Sequence, residues 1–382
     1  MAGAGLGQDR SCSAGARGWG VSVILAAKRT AVVPRGGAFA RLEIEDLGAP
    51  VVQALLQQAG IAAAQVDELI LSNALGAGGN PARRVALAAG LPERVAGLTV
   101  DRQCAGGLDA VLLAHALVGS GCAEVVIAGG VESYSRRPMR LRTDPDGGPA
   151  VGYDQARFTP WPDRDPAMAE AAAALALRLG ISRSAQDAWA VASHAKARVA
   201  PGEIVPLVGQ QRDVFARGLH MAVAARAKVV AGTITAANAA VAADGAAFVL
   251  VVSQRVAARL ASGASGMRIL GGATLGGDPQ EPGLAPVAAI RDVLARARIG
   301  VDQVAVAEVM EAYAVQAIAC VDGAGLDVAR VNQGGGALAR GHPIGASGAV
   351  LAVRLFYELQ AGIGLAAIAA AGGIGTALLV QR

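Results

Sequence analysis

Aromatic side chains are scarce in this 382-residue chain, at 3% of positions, and only four cysteines occur: Cys12, Cys104, Cys122 and Cys320. So few aromatics leave no row of stacking platforms, and a formal net charge of +4 is too mild for a nucleic-acid binder. Four cysteines in so long a chain form no disulfide framework, and a reducing cytoplasm is the simple reading. Every apolar run is broken by charge or Gly before the roughly 20 residues that a membrane span needs. Met1 to Gly20 is rich in Gly, Ala and Ser, with Asp9 and Arg10 where a signal peptide would be apolar, and reads as a disordered extension. No phosphate-binding loop and no metal-ligand spacing occur, so no metal is expected. Gly334 to Ala339 has dinucleotide-loop spacing but lacks a clear preceding strand.

What the chain does have is small apolar residues. Hydrophobic residues reach 53% and Gly numbers 51, which suits closely packed layers of helices and strands. Strands are expected at Val21 to Ala26, Glu68 to Asn73 and Glu124 to Ala128, alternating with helices at Ile44 to Ala59, after Asn80-Pro81, and after Cys104. This alternation argues a mostly parallel sheet covered on both faces. The pattern then repeats. Ala49-Pro50-Val51, a helix, Ala59-Gly60-Ile61 and Gln65-Val66 return as Ala285-Pro286-Val287, a helix, Ala297-Arg298-Ile299 and Gln303-Val304. The Cys104 helix with its strand ending at Gly129-Gly130 returns as a helix from about Ala346 to Gln360 with a strand ending at Gly372-Gly373. Two copies of one αβ unit in the same order indicate a duplicated core, with chance likeness between Ala-rich segments as the alternative. Between the copies, Arg136 to Ala242 is richer in Pro and charge and reads as an inserted lobe holding helices at Ala167 to Leu179 and Ser184 to Val199.

Two residues carry reactive chemistry in this arrangement. Cys104 sits just before a buried helix, where free N–H groups and the helix dipole stabilise a thiolate; simple space filling is the bland alternative. His342 stands in Gly341-His342-Pro343-Ile344-Gly345, ahead of the matching helix of the second copy. Across a twofold relation the two residues would meet, and the imidazole could take the thiol proton.

The chain resembles the thiolases, acyl-CoA acetyltransferases that cleave or form 3-ketoacyl-CoA. The likeness runs from about Val21 to Arg382. It rests on Arg29-Thr30-Ala31, Asn80 to Arg83, the Cys104 loop, Ala128 to Ser133, Gly232 to Asn238, Asp244 to Ala247, Glu311 to Ala314 and Gly341 to Gly348. It implies a five-layered αβαβα core of two halves, 21–135 with 243–263 and 264–382, and an inserted loop domain, 136–242, that holds coenzyme A. It also implies a homodimer or homotetramer, an acyl-CoA substrate, and no permanently bound cofactor, nucleic acid or membrane partner. By the resemblance Cys104 is the acylated nucleophile and His342 its activator. The N–H groups of Cys104 and Ala371 would form an oxyanion hole, and Met168 and Tyr313 would line the pantetheine and acyl pocket.

Departures from the family pattern are as informative. A second cysteine, the acid and base at the substrate α-carbon, is Ala369 here. The asparagine that anchors an oxyanion-hole water is Met310, and a serine near the thioester is Ala240. A positioned acid or base is worth about 10²–10⁴ in rate, so ordinary thiolysis or condensation should suffer while acylation of Cys104 survives. Three readings follow: a divergent acyltransferase with an S-acyl Cys104, a degenerate thiolase fold that binds acyl-CoA or a partner, and an ordinary acetyltransferase with a substitute acid/base. Cys320 reads as core packing rather than as that substitute.

Overall fold

The computed structural model describes residues 20–260 and 266–382; most of the expected N-terminal extension lies outside them. β1 (Ser22–Arg29), the short β2 (Val33–Pro34) and α1 (Ile44–Ala59) lead to β3 (Glu68–Ser72). α2 (Pro81–Ala88), β4 (Leu98–Val100), α3 (Gly106–Gly119) and β5 (Val125–Glu132) follow. The segment after β5 holds the hairpin of β6 (Arg140–Arg142) and β7 (Val151–Tyr153), helices α4 (Met168–Leu179), α5 (Arg183–Lys196) and α6 (Met221–Ala224), and the hairpin of β8 (Val229–Ala231) and β9 (Ile234–Thr235). β10 (Ala243–Ser253) and α7 (Gln254–Leu260) close the first half. The second half runs β11 (Met267–Gly276), α8 (Ala285–Ala297), β12 (Val304–Val309), α9 (Ala314–Ala324), α10 (Ala337–Arg340), α11 (Ile344–Glu358), β13 (Ile363–Ala370) and β14 (Ile374–Gln381).

The strand order exposes the duplication. One half reads β1-β10-β5-β3-β4 and the other β11-β14-β13-β12, joined where Val23 and Ile24 of β1 pair with Arg268 and Met267 of β11. α3 and α11 pack against each other and against both sets of strands; α1 and α2 cover the outer face of one set, α8 and α9 that of the other. Five layers result, with apolar cores on both sides of each set. The expectation of a mostly parallel sheet is corrected. Only β3–β4, β3–β5 and β12–β13 run parallel, whereas β1–β10, β10–β5, β11–β14 and β13–β14 are antiparallel. Helical crossovers impose parallel pairing only on the strands they join; β14 arrives through a tight turn, which forces reversal.

Burial follows from the sequence pattern. β5 and β10 are apolar on both faces and buried almost throughout, because each is covered by a helix layer on either side. α11 is likewise buried along most of its length, as a middle-layer helix must be. Among the described residues no helix is long and apolar enough to cross a membrane. Cys104 and Cys320 are free thiols. Cys122, in the turn after α3, is disulfide-bonded, which the spacing of the cysteines in sequence did not announce.

Candidate active site

β4 ends at Val100 and the chain turns sharply into α3. Asp101 Oδ1 accepts the Gln103 N–H at 2.9 Å, and Gln103 adopts a left-handed φ of 51°, a conformation that costs a non-glycine residue about 1–3 kcal/mol and gathers at functional sites. Cys104 follows directly and lines a cavity. On the other side, His342 is held by its N–H to Val241 O at 2.8 Å, just before α11 begins. The two side chains meet: Cys104 Sγ lies 3.2 Å from His342 Nε2.

A third residue assigns the imidazole proton. His342 Nδ1 is 2.6 Å from Ser347 Oγ, while the Ser347 hydroxyl donates to Pro343 O at 3.0 Å. A serine hydroxyl has one proton. With that proton committed to Pro343, Ser347 accepts from Nδ1–H, and Nε2 keeps its lone pair toward the thiol. This is the tautomer a general base requires.

The electrostatics correct one expectation. Burial pushes the Cys104 thiol up to about 12, against the opposing pull of the Cys104 and Ala371 N–H groups that point at the sulfur; Glu132 and Asp101 raise it further. Burial also pushes His342 down to about 4. The resting pair is therefore neutral thiol and neutral imidazole. The helix terminus does not hold a standing thiolate, because loss of solvation outweighs the two N–H dipoles.

The cavity measures about 520 Å³, within the range of small-molecule sites. Part of its lining is apolar, from Phe158, Met168, Ala171, Ala172 and Leu175; another part is cationic, from Arg35, Arg137 and Arg140. Arg35 and Arg137 stack on Tyr134, with guanidinium carbons 5.5 and 4.9 Å from the ring centroid. Two neighbouring arginines turn elsewhere, Arg136 to Glu43 and Arg142 to the Tyr153 ring.

Comparison with known proteins decides the family. The thiolase N-terminal domain model matches residues 22–255 and the thiolase C-terminal domain model residues 263–382. The chain belongs to the thiolase family. "Putative acetyl-CoA C-acetyltransferase YhfS" of Bacillus subtilis (strain 168) is 41% identical over 376 residues, covering 94% of this chain and 99% of that protein. "Putative acetyl-CoA C-acetyltransferase VraB" of Staphylococcus aureus (strain MRSA252) is 35% identical over 384 residues, with the same coverage of 94% and 99%. The crystal structure of the Bacillus anthracis acetyl-CoA acetyltransferase superposes with a TM-score of 0.87 at 32% identity, covering 95% of this chain and 99% of that one.

Within this thiolase fold, the structure gathers Cys104, His342, Met168, Tyr313, Ala240, Ala369 and Ala371 around one cavity. Met310 is not among them. It is 1% exposed and packs in the core beneath, with its N–H on Ala367 O at 2.9 Å; its expected place at the substrate is corrected, since an apolar side chain at the strand end turns to the core. Cys320 is sealed behind the cavity wall, donating to Gly283 O at 3.0 Å. Glu311 points inward too, accepting from Trp189, Ser193, Asn332 and the Leu338 N–H. Sequence reasoning gave no role to Ser347 or to Glu132, though both stand in quoted motifs. Glu132 accepts from Asn73 Nδ2 and from the N–H groups of Ala74, Leu75 and Gly345. It thereby ties the cavity-lining Ala74–Leu75 stretch to the first turn of α11.

Proposed function

We propose that this chain is a thiolase-type acyltransferase that takes an acyl group from a coenzyme A thioester onto Cys104. The observation that carries the reading is the 3.2 Å approach of Cys104 Sγ to a His342 Nε2 whose other nitrogen is occupied by Ser347. As Sγ attacks the thioester carbonyl, its proton passes to Nε2 and negative charge builds on the carbonyl oxygen. The N–H groups of Cys104 and Ala371, already aimed at the sulfur, would receive that oxygen. Collapse of the intermediate expels the coenzyme A thiolate, which takes the proton back from His342. Proton transfer within the attack avoids ever forming a free thiolate in a site that disfavours one.

The cavity supports this substrate class. Its apolar lining fits a pantetheine arm and a short acyl group, and its arginines offer charge to an anionic ligand. Acylation needs only groups that are present, whereas chemistry at the α-carbon meets Ala369 instead of a thiol. The test is intact-protein mass spectrometry against a panel of acyl-CoAs, with Cys104→Ser as control. One acyl adduct on the wild type and none on the variant is expected. Tight coenzyme A binding without any adduct would favour the degenerate binding fold and overturn the acyltransferase.

A further inference from the structure

Cleavage of a 3-ketoacyl thioester leaves an electron pair on the α-carbon, and some group must deliver a proton there. Ala369 has none to give, and Cys320 is sealed away with its own hydrogen bonds. Among the polar side chains lining the cavity, most are already engaged. Gln316 accepts the Ala312 N–H and donates to Cys320, Arg140 donates to Ala74 O and Leu75 O, and the Tyr134 hydroxyl receives Arg137. The Tyr313 hydroxyl is different. It has no hydrogen-bond partner among the described residues, yet the residue lines the same cavity as Cys104, His342 and Ala369.

Tyr313 packs against the apolar cluster that Leu175 of α4, Ile234 and Val315 help to form, while its backbone bridges Ala239 ahead of α9. A phenol fixed this way and left unpaired is available to a ligand. Burial, then the nearby Cys104 sulfur, pushes it up to about 12, so the hydroxyl keeps its proton until something much more basic arrives.

We propose that Tyr313 is the acid/base at the substrate α-carbon in this thiolase, in place of the cysteine that Ala369 replaces. The assignment rests on the S-acyl reading of Cys104. Cys104 Sγ bonds to the ketone carbon as its proton passes to His342, and the bond between that carbon and the α-carbon breaks. The electron pair stays on the departing acetyl-CoA and takes the Tyr313 proton, which leaves a phenolate. An incoming coenzyme A thiol gives its proton to the phenolate, its sulfur displaces Cys104 from the acyl group, and Cys104 recovers its proton from His342. Every bond and proton is accounted for without another reactant.

Two assays on wild type and Tyr313→Phe test this, using acetoacetyl-CoA with coenzyme A for cleavage and acetyl-CoA for acylation of Cys104. Phe keeps the ring packing and removes only the oxygen. Cleavage kcat is expected to fall by about 10²–10⁴, with KM changed only a few-fold and acylation changed less than the cleavage rate. Equal cleavage by the two proteins, or a change confined to KM, would overturn the assignment, as would a wild type that is acylated but does not cleave. A wild type that is never acylated would instead remove the S-acyl reading itself.

Discussion

The two ring nitrogens of His342 have different neighbours. Ser347 takes the Nδ1 proton and leaves Nε2 for the thiol. Ser347→Ala would strand a buried N–H, a cost of about 1–3 kcal/mol, so Cys104 acylation should slow by roughly 5- to 150-fold; a variant that acylates at the wild-type rate would show the serine to be idle. The shifted ionisations carry a second expectation. With the imidazole pushed down to about 4 and the thiol up to about 12, the neutral pair persists across the range between them. Alkylation of Cys104 by iodoacetamide should therefore stay level through neutral pH and fall only as acid charges His342 near its lowered value. An inflection at the ordinary imidazole value would instead show that burial does not hold His342 down. Both members of the Cys104–His342 contact were singled out in sequence, one by its place before a helix and the other by its glycine frame. Their charge state was not, because desolvation depends on what the rest of the fold packs around them.

Helices α3 and α11 bring those residues together by crossing at glycines. A Cβ on Gly348 would stand 2.4 Å from Leu108 N, and one on Gly107 would stand 2.6 Å from Ala349 N. The backbones touch, and each helix start delivers its reactive side chain to the same point. Gly348→Ala must push the helices apart. It should cost about 1–3 kcal/mol of stability and reduce acylation as well, measured by urea midpoint and by adduct formation; an unchanged midpoint would contradict the close crossing. Element positions were readable: α1 spans the expected residues, and the helices before and after Gly180 fall within two or three residues of their expected bounds. Strand direction was less so. A run of buried apolar residues looks the same in parallel and antiparallel pairing, and only the connection decides. Met310 shows the same limit at one residue, since its motif position did not reveal that its side chain faces the core.

Across the molecule, the segment between β5 and β10 is locked to the two halves by buried charge. Arg29 of β1 bonds Glu203 and Asp213, Arg340 pairs with Asp213, and Arg354 of α11 pairs with Glu203. Burial opposes ionisation of Asp213, but Arg29 and Arg340 outweigh it and hold the carboxyl below its ordinary range. Asp213→Asn leaves those guanidiniums short of a counter-charge and should cost about 3–5 kcal/mol, seen as a lower urea midpoint; no shift would mean the network adds nothing. The duplicated architecture was readable because repeated αβ units leave repeated patterns, but this lock was not, since its pairs lie more than a hundred positions apart and neither Glu203 nor Asp213 stands in a motif, though Arg29 does. The proposed function turns on one event, transfer of an acyl group to the sulfur beside His342. Protein mixed with saturating acetyl-CoA, quenched in acid and digested, should yield the Cys104 peptide carrying one acetyl group, and Cys104→Ala should yield none. An unmodified wild-type Cys104 peptide under those conditions would contradict the account.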